Sequence, residues 1–126
     1  VLTIMIRVPW IVQHPNRIRT ITEPQIRYLQ KIYSFAPQTN WIITDEPMYA
    51  FRTGLPIPPP IAVITRKRLD TGYLTEDQII DAVREWKPEQ VLLGRFNFPD
   101  LEKYLEEDYR LIHSRIHMKL YVRKDL

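Results

Sequence analysis

Trp41-Ile42-Ile43-Thr44-Asp45-Glu46-Pro47 is the stretch that decides the fold. Its apolar run is too short for a helix and rich in β-branched side chains, which suits a strand buried on both faces of a sheet. Asp45-Glu46-Pro47 then opens a helix, because proline belongs in a first helical turn, where its missing N–H costs nothing. A strand that turns directly into a helix is the joint of a parallel α/β sheet. The same reading applies downstream to Ile61-Ala62-Val63-Ile64 and to Gln90-Val91-Leu92-Leu93.

Outward from this joint, helices alternate with strands. Thr22 with Gln25 and Thr75 with Gln78 each have the spacing of a capping box. Ile26, Leu29, Ile32 and Tyr33 follow the first box at helical spacing, and Ile79, Ile80, Val83 and Trp86 follow the second. Gly54 closes the short helix after Pro47. Pro56, Pro58, Pro59 and Pro60 then force an extended connector. Pro99 opens a further helix carrying Leu101, Tyr104 and Leu105. The chain finishes with two strands, Tyr109–His113 and Met118–Arg123, whose spacing predicts an antiparallel hairpin. Leu2–Val8 reads as an additional first strand. The expectation is a three-layer α/β sandwich with a mostly parallel sheet and a C-terminal antiparallel hairpin at one edge.

The chain has 126 residues, enough for one domain. A net charge of +3 is too mild to point to nucleic acid. There is no cysteine, which excludes a disulfide framework and thiolate metal ligands within this sequence. Residues 1–20 begin with Val1 rather than Met. They suggest a fragment, whose start is either the first strand or a linker leaving a membrane helix.

Ligands of open α/β sheets bind beyond the carboxyl ends of the strands. That rule selects Asp45 and Glu46 after one strand, Arg66, Lys67 and Arg68 after the next, and Arg95 after the fourth. Such a rim suits a sugar, a phosphate or internal pairing. Asp45 equally suits a helix N-cap, Arg66 to Arg68 a solvated loop, and Arg95 an ion pair with Asp45 or Glu46. His113 and His117 flank the hairpin turn, and nothing nearby completes a metal site. No glycine-rich phosphate loop and no nucleophile elbow occur, so no catalytic residue, metal or cofactor is expected.

Three stretches carry a likeness over roughly residues 20 to 123. They are Thr44–Gly54 with the prolines Pro56 to Pro60, Ile64–Gly72, and Pro88–Phe96 with the closing Leu120-Tyr121-Val122-Arg123. They resemble the C-terminal region of bacterial membrane glycosyltransferases of the dolichyl-phosphate-mannose–protein mannosyltransferase-like group, which includes the aminoarabinose-transferase-like enzymes. The resemblance implies a polytopic enzyme that uses a polyprenyl-phosphate sugar. Its catalytic acidic residues lie in an early extracytoplasmic loop that has no counterpart here. The chain would then be a non-catalytic extracytoplasmic domain whose partners are the membrane-embedded part of the same polypeptide and a glycan or lipid-linked sugar phosphate. The alternative is a free-standing α/β module that binds a nucleotide or phosphorylated metabolite at the same rim.

Overall fold

A computed structural model describes residues 21–62 and 64–126. Helix α1 (Glu23–Phe35) starts at the first capping box: Thr22 Oγ1 accepts from the Gln25 N–H and the Gln25 side chain accepts from the Thr22 N–H. Strand β1 (Ile42–Thr44) leads into helix α2 (Pro47–Thr53), which Gly54 ends at φ 71°, a left-handed turn that favours glycine. Helix α3 (Arg66–Asp70) is a short additional turn capped by Thr65. Helix α4 (Glu76–Trp86) begins at the second capping box, where Thr75 and Gln78 bond reciprocally. Strand β2 (Gln90–Leu93), helix α5 (Pro99–Asp108) and the hairpin β3 (Tyr109–Arg115) and β4 (Met118–Arg123) complete the described chain.

The sheet has the order β1-β2-β4-β3 and is open. Among the described strands only β1 and β2 run parallel, with Ile43 opposite Val91. β4 lies antiparallel to β2, with Leu92 opposite Leu120, and β3 lies antiparallel to β4. The sheet is therefore mixed, not mostly parallel. The hairpin is where the sequence places it, at one edge, but its second strand is inserted against β2.

The second departure lies at 61–64. Pro59–Ile61 forms a single 3-10 turn, and Ile61, Ala62 and Ile64 form no strand. Three prolines precede this run and remove the N–H donors that a ladder needs. Ile61 and Ile64 are instead buried as plugs against α4 and the sheet. The Leu2–Val8 strand and the 1–20 linker lie outside the described residues.

Period-two alternation divides the sheet's side chains between two cores. Ile43, Val91, Leu93 and Tyr121 pack on one face with Ile79 and Val83 of α4 and Leu101 and Leu105 of α5. Ile42, Leu92, Leu120 and Val122 pack on the other with Tyr28 and Ile32 of α1 and Tyr49 and Ala50 of α2. Both faces are thus covered by helices. At roughly 1.5–3 kcal/mol per fully buried aliphatic side chain, this double core is the main source of stability. Among the described residues no helix is long and apolar enough to cross a membrane.

Candidate functional site

The carboxyl ends of β1 and β2 are adjacent because the two strands are parallel, so the residues that follow them share one rim. Asp45, next after β1, is fully buried. Its Oδ2 accepts from the N–H groups of Gly94 at 3.1 Å, Arg95 at 3.0 Å and Phe96 at 2.9 Å, and its Oδ1 also accepts from Gly94 at 3.1 Å. It caps no helix. The residue at the start of α2 is Glu46, whose side chain makes no cap hydrogen bond. Nor does Asp45 pair with the Arg95 guanidinium; it holds the backbone on which Arg95 is mounted. Burial pushes its carboxyl above the usual value, and the loop N–H bonds pull the other way without cancelling that effect.

Gly94 makes the turn possible by close approach. A Cβ at this position would lie 2.9 Å from the Met118 Cα of β4, a backbone atom that cannot give way. The loop therefore leaves β2 tight against the hairpin, with Arg95 exposed and Phe96 half-buried against the core.

Phe96 is the centre of the rim. The Arg95 guanidinium lies 5.3 Å from its ring centroid and the Arg66 guanidinium, from α3, 5.4 Å. Each such contact contributes about 0.5–1 kcal/mol when exposed. Among the described residues neither guanidinium belongs to an ion pair. The Phe96–Phe98 segment borders two cavities. One, of about 350 Å³, includes Gly94, Arg95, His117 and Lys119, and the other, of about 510 Å³, includes Arg66, Leu69 and Thr75. The carboxylates beside them are occupied: Glu102 accepts from Lys119 at 2.8 Å and from the Tyr121 hydroxyl at 3.2 Å, and Glu76 accepts from the Leu101 N–H. Each guanidinium borders its own cavity beside the ring and, with no ion pair among the described residues, can meet a phosphate or carboxylate there, while the ring edge and its apolar neighbours take a sugar face or another flat group.

Of the residues expected at the rim, Asp45, Arg66 and Arg95 converge on this loop. The other three do not. Glu46 is half-buried and uses its backbone with Thr44. Lys67 is exposed on α3. Arg68 borders a different cavity with Tyr73, Gln78 and Trp86. Arg66 to Arg68 form a helical turn rather than a loop after a strand, which is why their side chains diverge. Phe96 was not singled out in the sequence; its signal was the aromatic residue adjacent to Arg95 at a strand end. His113 lies in β3 with its ring 4.7 Å from that of Tyr28, and no cluster of metal-ligating side chains occurs among the described residues.

Compared with family models, curated proteins and solved structures, the chain matches none.

Proposed function

We propose that the chain is the non-catalytic, extracytoplasmic C-terminal domain of a polyprenyl-phosphate-sugar-dependent membrane glycosyltransferase, and that its strand-end rim assists by holding an anionic sugar. The likeness of residues 44–54, 64–72 and 88–96 to that group supplies the enzyme class. The observation that carries the role is the pair of guanidiniums, Arg66 and Arg95, that lie on the Phe96 ring and are in no ion pair among the described residues. Guanidiniums match phosphate oxygens in bidentate geometry, and the ring edge with its apolar neighbours offers contact to a pyranose. The membrane-embedded part of the same polypeptide is the partner this reading requires, and it carries the chemistry.

The test is the double variant Arg66→Ala/Arg95→Ala in the full-length transferase, with Arg68→Ala, at a different cavity, as the comparison. The expected outcome is a fall of about tenfold or more in kcat/KM for the double variant and little change for Arg68→Ala. Unchanged turnover in the double variant removes the rim from the function. Tight nucleotide binding by the 126-residue chain alone, lost in the same variant, replaces this reading with the free-standing binding module.

A further inference from the structure

The sheet order leaves β3 outermost, on the side away from the parallel pair. An edge strand exposes unpaired N–H and C=O groups and is a template for another chain. β3 is seven residues long, and among the described residues no further strand pairs with it. Its C-terminal end is held firmly: the Tyr28 hydroxyl accepts from the Arg115 N–H at 2.6 Å and lies 2.6 Å from the Met118 carbonyl oxygen. A rigid edge loses little entropy on pairing.

Cations gather along this edge. A groove of about 530 Å³ runs between α1 and β3, bordered by Ile26, Arg27, Gln30, Lys31, Ser34 and His113, with Glu23 the one carboxylate on its walls. Arg27 pairs with Glu23 at 3.4 Å, an exposed contact of little strength. Lys31 and the Arg115 guanidinium are in no ion pair among the described residues. Burial together with Lys31, Arg115 and Arg27 holds the His113 imidazole below its ordinary pKa, an internal sign that the groove is electropositive. At the other end of the strand the Arg110 guanidinium donates to the Leu126 carbonyl oxygen at 2.9 Å, and Leu111 is half exposed between them.

These charges decide the occupant. A second copy of β3, paired antiparallel about Ile112, would set Arg110 opposite Ser114 and Arg115 opposite Tyr109, and would bring together two edges that each carry two arginines and no carboxylate. The irregular register between Leu111 and His113 further narrows what can pair. We infer that β3 and the groove beside α1 form a docking edge for an extended acidic peptide segment, which adds as a further strand and places carboxylates against Lys31 and Arg115. The backbone supplies the ladder and the cations supply the choice of partner. This inference is independent of the rim.

The test uses the isotope-labelled 126-residue chain and a peptide of about eight residues alternating Glu and Val, long enough for one strand. The expected result is saturable amide shifts confined to residues 110–115 and α1, weakening as salt rises. Arg115→Glu and Lys31→Glu, each checked for an intact β2 by hydrogen exchange, should weaken binding about tenfold or more. A Lys–Val peptide should not bind, and a Glu–Val peptide N-methylated at alternate residues should lose the interaction. Equal binding of unstructured polyglutamate would mean charge alone acts and overturns strand addition. No shift in 110–115, or shifts at Arg66, Arg95 and Phe96 instead, overturns the docking edge while leaving the rim proposal standing.

Discussion

The parallel pair β1–β2 is closed at both ends by a carboxylate, and the two ends are built differently. Beyond the carboxyl ends, Asp45 of the β1 side gathers the N–H groups of Gly94, Arg95 and Phe96 that follow β2. Before the amino ends, Glu89 of the β2 side gathers the N–H groups of Asn40 at 2.9 Å and Trp41 at 3.1 Å that precede β1, with the Asn40 side chain at 3.3 Å. Each strand thus supplies the clasp for its neighbour's flank. Glu89 also has a cation, with Arg123 at 3.7 Å, whereas Asp45 is in no ion pair among the described residues. The Glu89 end is a neutralised structural joint. At the Asp45 end the Arg66 and Arg95 guanidiniums lie over the Phe96 ring instead.

The comparison is most exposed to truncation of the two carboxylates. Asp45→Ala removes a fully buried acceptor from three part-buried backbone donors and should cost about 3 kcal/mol, read as a loss of unfolding free energy in urea. Glu89→Ala should cost less, about 2 kcal/mol, since the Asn40 side chain is exposed and can turn to water. Equal losses would mean that the two clasps are equivalent.

A smaller effect separates them by pH. Asp45 has a folded pKa raised above 3.8, so the folded state holds its proton more tightly than the unfolded chain. The stability this group contributes is fully present below the ordinary carboxylate value and is lost as pH rises through the raised one. Subtracting the profile of Asp45→Asn from that of the parent, between about pH 3 and about pH 7, should reveal this decline. A flat difference would show that the loop N–H groups offset burial completely.

The smallest effect is expected at the hairpin tip. Ile116 and His117 have φ of 50° and 67°, and a β-branched residue is poorly suited to that region. Ile116→Asn should raise the unfolding free energy by about 0.5–1 kcal/mol. The same substitution should leave ligand response at Phe96 unchanged, and a change there would tie the tip to the rim.

What was legible in the sequence was local. Both capping boxes, the strands at 42–44 and 90–93, the start of α2 and the hairpin follow from residues within a few positions of each other. What was not legible depends on partners far along the chain. Asp45 reads locally as a helix cap because its loop partners are 49 to 51 residues away. The apolar run at 61–64 reads as a strand because periodicity cannot separate a buried strand from a buried plug. The rim rule led to Arg66 and Arg95 but not to Phe96, whose importance comes from α3 crossing to meet it.

The insertion of β4 has a consequence for how the domain comes into being. The strand synthesised last among the described elements is not peripheral: it pairs with β2 on one side and β3 on the other. A ribosome releases residues 118–123 only after every described helix has emerged, so β2 waits with one edge bare and both cores incomplete. Folding must therefore be held off, or remain reversible, until those residues arrive. A chain stopped before Met118 would keep its helices' sequence signals yet have no sheet centre to gather them.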